Sequence, residues 1–95
     1  MENRRLVFRV HAIQRMFERG IGVRDVRMVL ESGVTIESYP HDDPYPSRLV
    51  LGRVDSRPIH VVAADDPEGA TTMVITVYEP DAARWDASFR RRADS

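Results

Sequence analysis

Hydrophobic and polar positions along this chain change period twice, and the changes divide it into elements. Val10 to Arg19 repeats at helical spacing, with Val10, Ile13, Met16 and Phe17 on one arc and His11, Arg15, Glu18 and Arg19 on the other. Gly20 suits the end of that helix, because glycine enters the left-handed conformation without strain. Val23 to Ser32 predicts a second helix whose buried stripe is Val23, Val26, Val29 and Leu30, and Gly33 stops it. Only Gly20, Ile21 and Gly22 lie between them, and so short a connection predicts helices packed as neighbours.

From Val34 the period drops to two, the spacing of a strand with unlike faces. Val34 to Tyr39 predicts a first strand. Pro40 to Ser47, with three prolines, must be loop. Arg48 to Val54, Pro58 to Ala64 and Thr72 to Glu79 predict three more strands, joined by a tight turn at Asp55-Ser56 and a loop from Asp65 to Ala70. Val50, Gly52, Val54, Ile59, Val61, Ala63, Met73, Ile75 and Val77 then share one apolar face, the seat for the helices. Phe17, Val26, Leu30, Val61 and Ile75 are expected to be almost inaccessible. Pro80 ends the last strand, and Asp81 is placed to cap a short helix carrying Trp85 and Phe89 on one side. The expected architecture is α+β: two N-terminal helices on a four-stranded antiparallel sheet, with a short C-terminal helix. It forms a single domain over residues 1–95, with a core from about residue 8 to 89 and a polar, arginine-rich tail from 90 to 95.

Pairing assigns the chemistry-bearing residues to the other sheet face. A two-residue turn sets Leu51 opposite His60 and Arg53 opposite Pro58. The next hairpin is expected to set His60 opposite Thr76 and Pro58 opposite Tyr78. Arg53, His60, Thr76 and Tyr78 would then stand together, on a face left open or partly covered. His11 and Arg15, four apart on the first helix, form a second group suited to proton transfer and anion binding. Each has a plainer reading: His60 as a hydrogen-bonded core histidine, Tyr78 as a half-buried aromatic, and Arg15 paired with Glu18. An open, positive pocket over the His60 face would favour phosphodiester chemistry; a buried or negative one would favour a binding module.

Composition narrows the classes. The chain has 95 residues, no cysteine and 42% hydrophobic content. It offers neither disulfides nor thiolate metal sites, and a cytoplasmic, non-membrane protein is expected. All 14 basic residues are arginine, a bidentate binder of phosphate and carboxylate. Net charge is −1, but residues 1–30 carry seven arginines against three acids, while residues 31–81 carry ten acids against three arginines. No histidine pair has zinc-binding spacing, so neither metal nor cofactor is expected.

Several segments in fixed order resemble a bacterial family, the domain of unknown function numbered 4258. They are His11-Ala12-x-x-Arg15-x-x-x-Arg19-Gly20-Ile21, Val26-x-x-Val29-Leu30, Tyr39-Pro40, Pro44-Tyr45-Pro46-Ser47, Gly52-Arg53, Pro58-x-His60-Val61-Val62 and Ile75-Thr76-x-Tyr78-x-Pro80, then Trp85. The resemblance implies a RelE/barnase-like fold. It also implies a metal-independent endoribonuclease, the toxin of a type II toxin–antitoxin pair, leaving 2′,3′-cyclic phosphate ends on RNA, free or on the ribosome. His60 or His11 would be base or acid, Arg15 and Arg53 phosphate clamps, and Tyr78 and Thr76 positioning groups. The implied partner is a zinc-finger antitoxin of the YgiT type, with Trp85, Phe89 and Arg91 as its expected contacts. The alternative is a non-catalytic protein-binding module.

Overall fold

A five-stranded mixed sheet carries both helices on one face and the C-terminal segment on the other. A computed structural model describes residues 4–93; the first three residues and the last two, which end the expected polar tail, lie outside the described residues. In chain order the elements are β1 (Arg5–Phe8), α1 (Val10–Arg19), α2 (Val23–Ser32), β2 (Val34–Tyr39), β3 (Ser47–Val54), β4 (Arg57–Asp65) and β5 (Thr71–Tyr78). The sheet order is β1-β5-β4-β3-β2. β1 runs parallel to β5, and the other neighbours are antiparallel. Among the described residues, no helix is long and apolar enough to cross a membrane.

The expected four-stranded antiparallel sheet with a C-terminal helix is therefore incorrect on two counts. First, β1 was missed. Its four residues alternate, Leu6 and Phe8 turning inward while Arg5 and Val7 stay exposed. Its partner lies more than sixty residues away, from Thr71 to Val74. A parallel pairing needs a long crossover, and no local pattern announces it. Second, residues 82–92 form turns rather than a helix.

Local chemistry shapes the helices as expected. Gly20 ends α1 at φ 65°, and the Ile21 amide bonds the Met16 carbonyl. The Asp25 carboxylate accepts from the Gly22 amide at 2.9 Å, satisfying a free donor at the start of α2. The helices do not pack chiefly on each other: α1 lies on β5, and α2 on β3 and β4. The buried arc of α1 centres on Ala12 and Met16, so Phe17, one residue further round, stands 88% exposed. Burial was wrongly expected there.

The β3–β4 hairpin keeps the expected register, Leu51 opposite His60 and Arg53 opposite Pro58. Asp55 and Ser56 both take positive φ, as a tight two-residue turn requires. The β4–β5 hairpin does not keep its register. Tyr78 lies opposite His60 and Thr76 opposite Val62, and a bulge between Val62 and Ala63 brings Val74 opposite Ala63. The extra residue is Ile75. It reverses the alternation, so Val74 and Val77 enter the core while Met73 and Ile75 stay half-buried. The same shift buries Thr72, whose hydroxyl donates to Asp65 at 2.6 Å and accepts from Arg4 at 2.8 Å. Arg48 also reaches Asp65, at 2.8 Å. Burial acts to raise the Asp65 pKa, but the Thr72 bond and the two guanidiniums outweigh it and hold the carboxyl below its ordinary value.

Helix α2 meets β3 at Gly52. A Cβ added there would lie 2.9 Å from a Val29 methyl and 3.0 Å from the Val29 Cα. Gly52→Ala should therefore lift α2 from the sheet and cost about 1–3 kcal/mol through overpacking. The check is a lower urea midpoint at unchanged slope. An unchanged midpoint would mean that α2 shifts freely on β3.

Candidate functional site

The strand register brings His60 and Tyr78 side by side, and the chain then folds back over them. Pro80 is buried, and the Asp81 carbonyl accepts from the amides of Arg84 and Trp85. Trp85 bridges to Arg92, and the Asp86 amide bonds the Arg91 carbonyl. Asp86 takes the amide and hydroxyl of Ser88, a local side-chain turn that competes with helix formation. Phe89 takes φ 61°, a left-handed conformation foreign to a helix. This is why the expected helix does not form.

The face expected to be open or partly covered is closed over His60 by this segment. His60 is fully buried, and its ring meets Trp85 edge-on at 4.4 Å and Tyr78 at 5.1 Å between centroids. Its Nε2 lies 2.9 Å from the Phe89 carbonyl, which can only accept, so Nε2 carries the proton. Nδ1 then accepts from the Tyr78 hydroxyl at 3.1 Å. Burial pulls the His60 pKa below its ordinary value, and the Phe89 bond only partly offsets this. Leu49 and Leu51 are buried on the same face. Arg92 stacks over Trp85 at 4.8 Å and reaches Glu37 at 3.5 Å. Burial raises the Tyr78 pKa, so the group stays a phenol.

Beside this closed cluster lies an open, arginine-rich pocket of about 320 Å³. It occupies the space between α1, the end of β5 and the C-terminal segment. β1 pairs only with Thr71–Val74, so beyond that point β5 has no strand on this side among the described residues. Arg15, Arg19, Arg84 and Arg92 line the pocket with Tyr78, Glu79 and Asp81. Glu79 is engaged by Arg57 at 3.2 Å, and Arg57 also donates to the Arg19 carbonyl at 2.8 Å. The Asp81 carboxylate accepts from the Ala83 amide. No ion pair involves Arg15, Arg19 or Arg84 among the described residues. Three guanidiniums without carboxylate partners and one stacked on indole can cradle a phosphate group.

The six expected site residues therefore divide. His11, Arg15 and Arg19 occur at intervals of four and form one row along α1. His11 is exposed, and its Nε2 shares a 3.2 Å hydrogen bond with Thr76 Oγ1. Thr76 precedes Tyr78 by two residues, so His11 stands one helical turn along from the pocket wall. Thr76 does not face His60 across the strands as expected: the pairing starts one residue out of the expected register at Asp65 and Thr72, and the bulge adds a second. Arg53 lies apart from the pocket, with its guanidinium 5.7 Å from the Phe89 ring. His60 adjoins the pocket only through Tyr78 and Trp85 and is closed to solvent. Sequence reasoning missed Arg19, Arg84 and Arg92 as site residues. The four-residue step from Arg15 could have revealed Arg19; the other two depend on the path of the C-terminal segment. Of the expected partner contacts, Trp85 is spent within its own chain at 5% exposure, while Arg91 is exposed.

The fold and this pocket define a small α+β domain with a cationic site at a sheet edge. Residues 8–79 match the family model of a domain of unknown function, DUF4258, and the chain belongs to that family. Comparison with curated proteins and with solved structures gives no match. Among the described residues, no group of three or more histidine or acidic side chains is placed to hold a metal ion.

Proposed function

We propose that this protein is a metal-independent endoribonuclease whose phosphate site is the arginine pocket at the free edge of β5, acting as the toxin of a toxin–antitoxin pair. The observation that carries the reading is the convergence of Arg15, Arg19 and Arg84, free of ion pairs among the described residues, on one open pocket beside an exposed histidine. RNA cleavage through the 2′-hydroxyl needs a group that takes the 2′-proton and delivers one to the leaving 5′-oxygen, a fixed cation for the developing phosphorane charge, and a group to orient the phosphate. His11 supplies the first, Arg15 and Arg19 the second, and Tyr78 the third. His60 acts indirectly: it holds the Tyr78 hydroxyl and the C-terminal wall of the pocket. Arg53 serves that wall through Phe89. The toxin role rests only on what the resemblance to the DUF4258 family implies, with a YgiT-type zinc-finger protein as the matching antitoxin.

The buried state of His60 favours a second reading, a protein-binding module without catalysis. One experiment separates the two. The purified chain is incubated in EDTA with a short single-stranded RNA and with messenger RNA on translating ribosomes. The expected products end in 2′,3′-cyclic phosphate. Intact RNA in both arms, from folded protein, would discard the nuclease and leave the binding module.

A further inference from the structure

The outer side of α1 carries an apolar stripe that the fold does not use. Val10, Ile13 and Phe17 are 71%, 51% and 88% exposed. Their spacing stacks them along one side of the helix over about 10 Å. Ala12 and Met16 bury the adjacent side of α1 against the sheet, so this stripe, about a third of a turn further round, contributes little to the core. Single exposed hydrophobes are ordinary, but three in a row on one helix mark a contact surface.

Charge identifies what covers it. Residues 4–33 carry seven arginines against Glu18, Asp25 and Glu31. Arg9 precedes Val10 at one end of the stripe, and Arg24 follows Phe17 across the short connection; both are exposed. A second copy docked stripe to stripe would bring the exposed Arg9 and Arg24 up against arginines of its own kind. RNA offers phosphates but no apolar ridge. We infer that the outer face of α1 docks an acidic amphipathic helix of another protein, with apolar residues at i, i+3 and i+7 seated on Val10, Ile13 and Phe17 and carboxylates meeting Arg9 and Arg24. A helix-on-helix contact of two turns matches the length of the stripe. This surface is separate from the His11–Arg15–Arg19 row, so the inference does not depend on nuclease activity.

The probe is a synthetic 18-residue peptide with leucine at those helical positions and glutamate elsewhere, titrated into the 15N-labelled protein. The expected result is saturable shifts of the amides from Val10 to Phe17, with affinity lowered about 10-fold or more by Phe17→Asp, the loss of one buried aromatic anchor. Phe17 is exposed, so the variant should melt near the parent. A control peptide with lysine in place of glutamate should not bind. Three results would overturn the inference: no shifts at millimolar peptide, a concentration-dependent dimer abolished by Phe17→Asp, or binding to phosphatidylglycerol vesicles in preference to the peptide.

Discussion

RNA cleavage by the His11→Ala protein is expected to fall about 10²–10⁴-fold below the parent, the loss that follows removal of a proton-transfer group. The side chain is exposed, and among the described residues its one side-chain hydrogen bond is to Thr76. Its removal should therefore leave the melting temperature almost unchanged, so lost activity cannot be blamed on unfolding. Arg15→Lys provides the companion result. It keeps the charge but loses the planar two-donor geometry, and cleavage should drop by a smaller but clear factor. Arg15→Ala should drop it further. Thr76→Val should lower the rate by a smaller factor than His11→Ala, because the hydroxyl that orients His11 is gone. Full cleavage by a folded His11→Ala protein would remove His11 from the mechanism and return attention to the pocket arginines alone.

His60→Ala is the second large change, and its effect is on stability. The substitution leaves a cavity beneath Trp85 and strips partners from the Phe89 carbonyl and the Tyr78 hydroxyl. Cavity formation and buried unpaired polar groups together predict a loss of about 2–4 kcal/mol. The segment from residue 81 to 93 should loosen first, because His60 is its deepest anchor. Trp85 is the only tryptophan in the chain, so a red shift of its emission reports that loosening directly.

Acid should reproduce part of this effect. The folded pKa of His60 lies below 6.5, so at mildly acid pH the unfolded chain binds the proton more readily than the folded one. The stability that neutral His60 provides is intact above 6.5 and is lost as pH falls through the folded value. Glu37 favours the charged form and Arg92 opposes it. In the parent, Trp85 emission should therefore shift to the red as pH falls below 6.5, and in His60→Phe the transition should vanish. An identical transition in that variant would assign it to another group.

Much of the fold was legible because it is written in short range. The two helices and β2 follow from periodicity and glycine stops within each segment. The β3–β4 register follows from a two-residue turn, and Asp55 and Ser56 adopt the positive φ values that such a turn demands. The candidate site was legible only in its helical part. His11 and Arg15 share a face because four residues make about one turn, whatever lies beside them.

Local geometry is set by spacing alone: helix faces, strand alternation, one hairpin and the row His11, Arg15, Arg19. How much of each face is covered depends on the packed fold. Phe17 and Met16 are neighbours of similar hydrophobicity, yet one is solvated and the other buried, because the sheet approaches α1 from a single direction. Ile75 was displaced by a bulge, β1 was placed by a partner at the far end of the chain, and His60 was closed off by a segment that begins twenty residues later. Each of these depends on contacts between distant parts of the chain. Their energies come from shape and burial rather than from spacing, so no period in the sequence carries them.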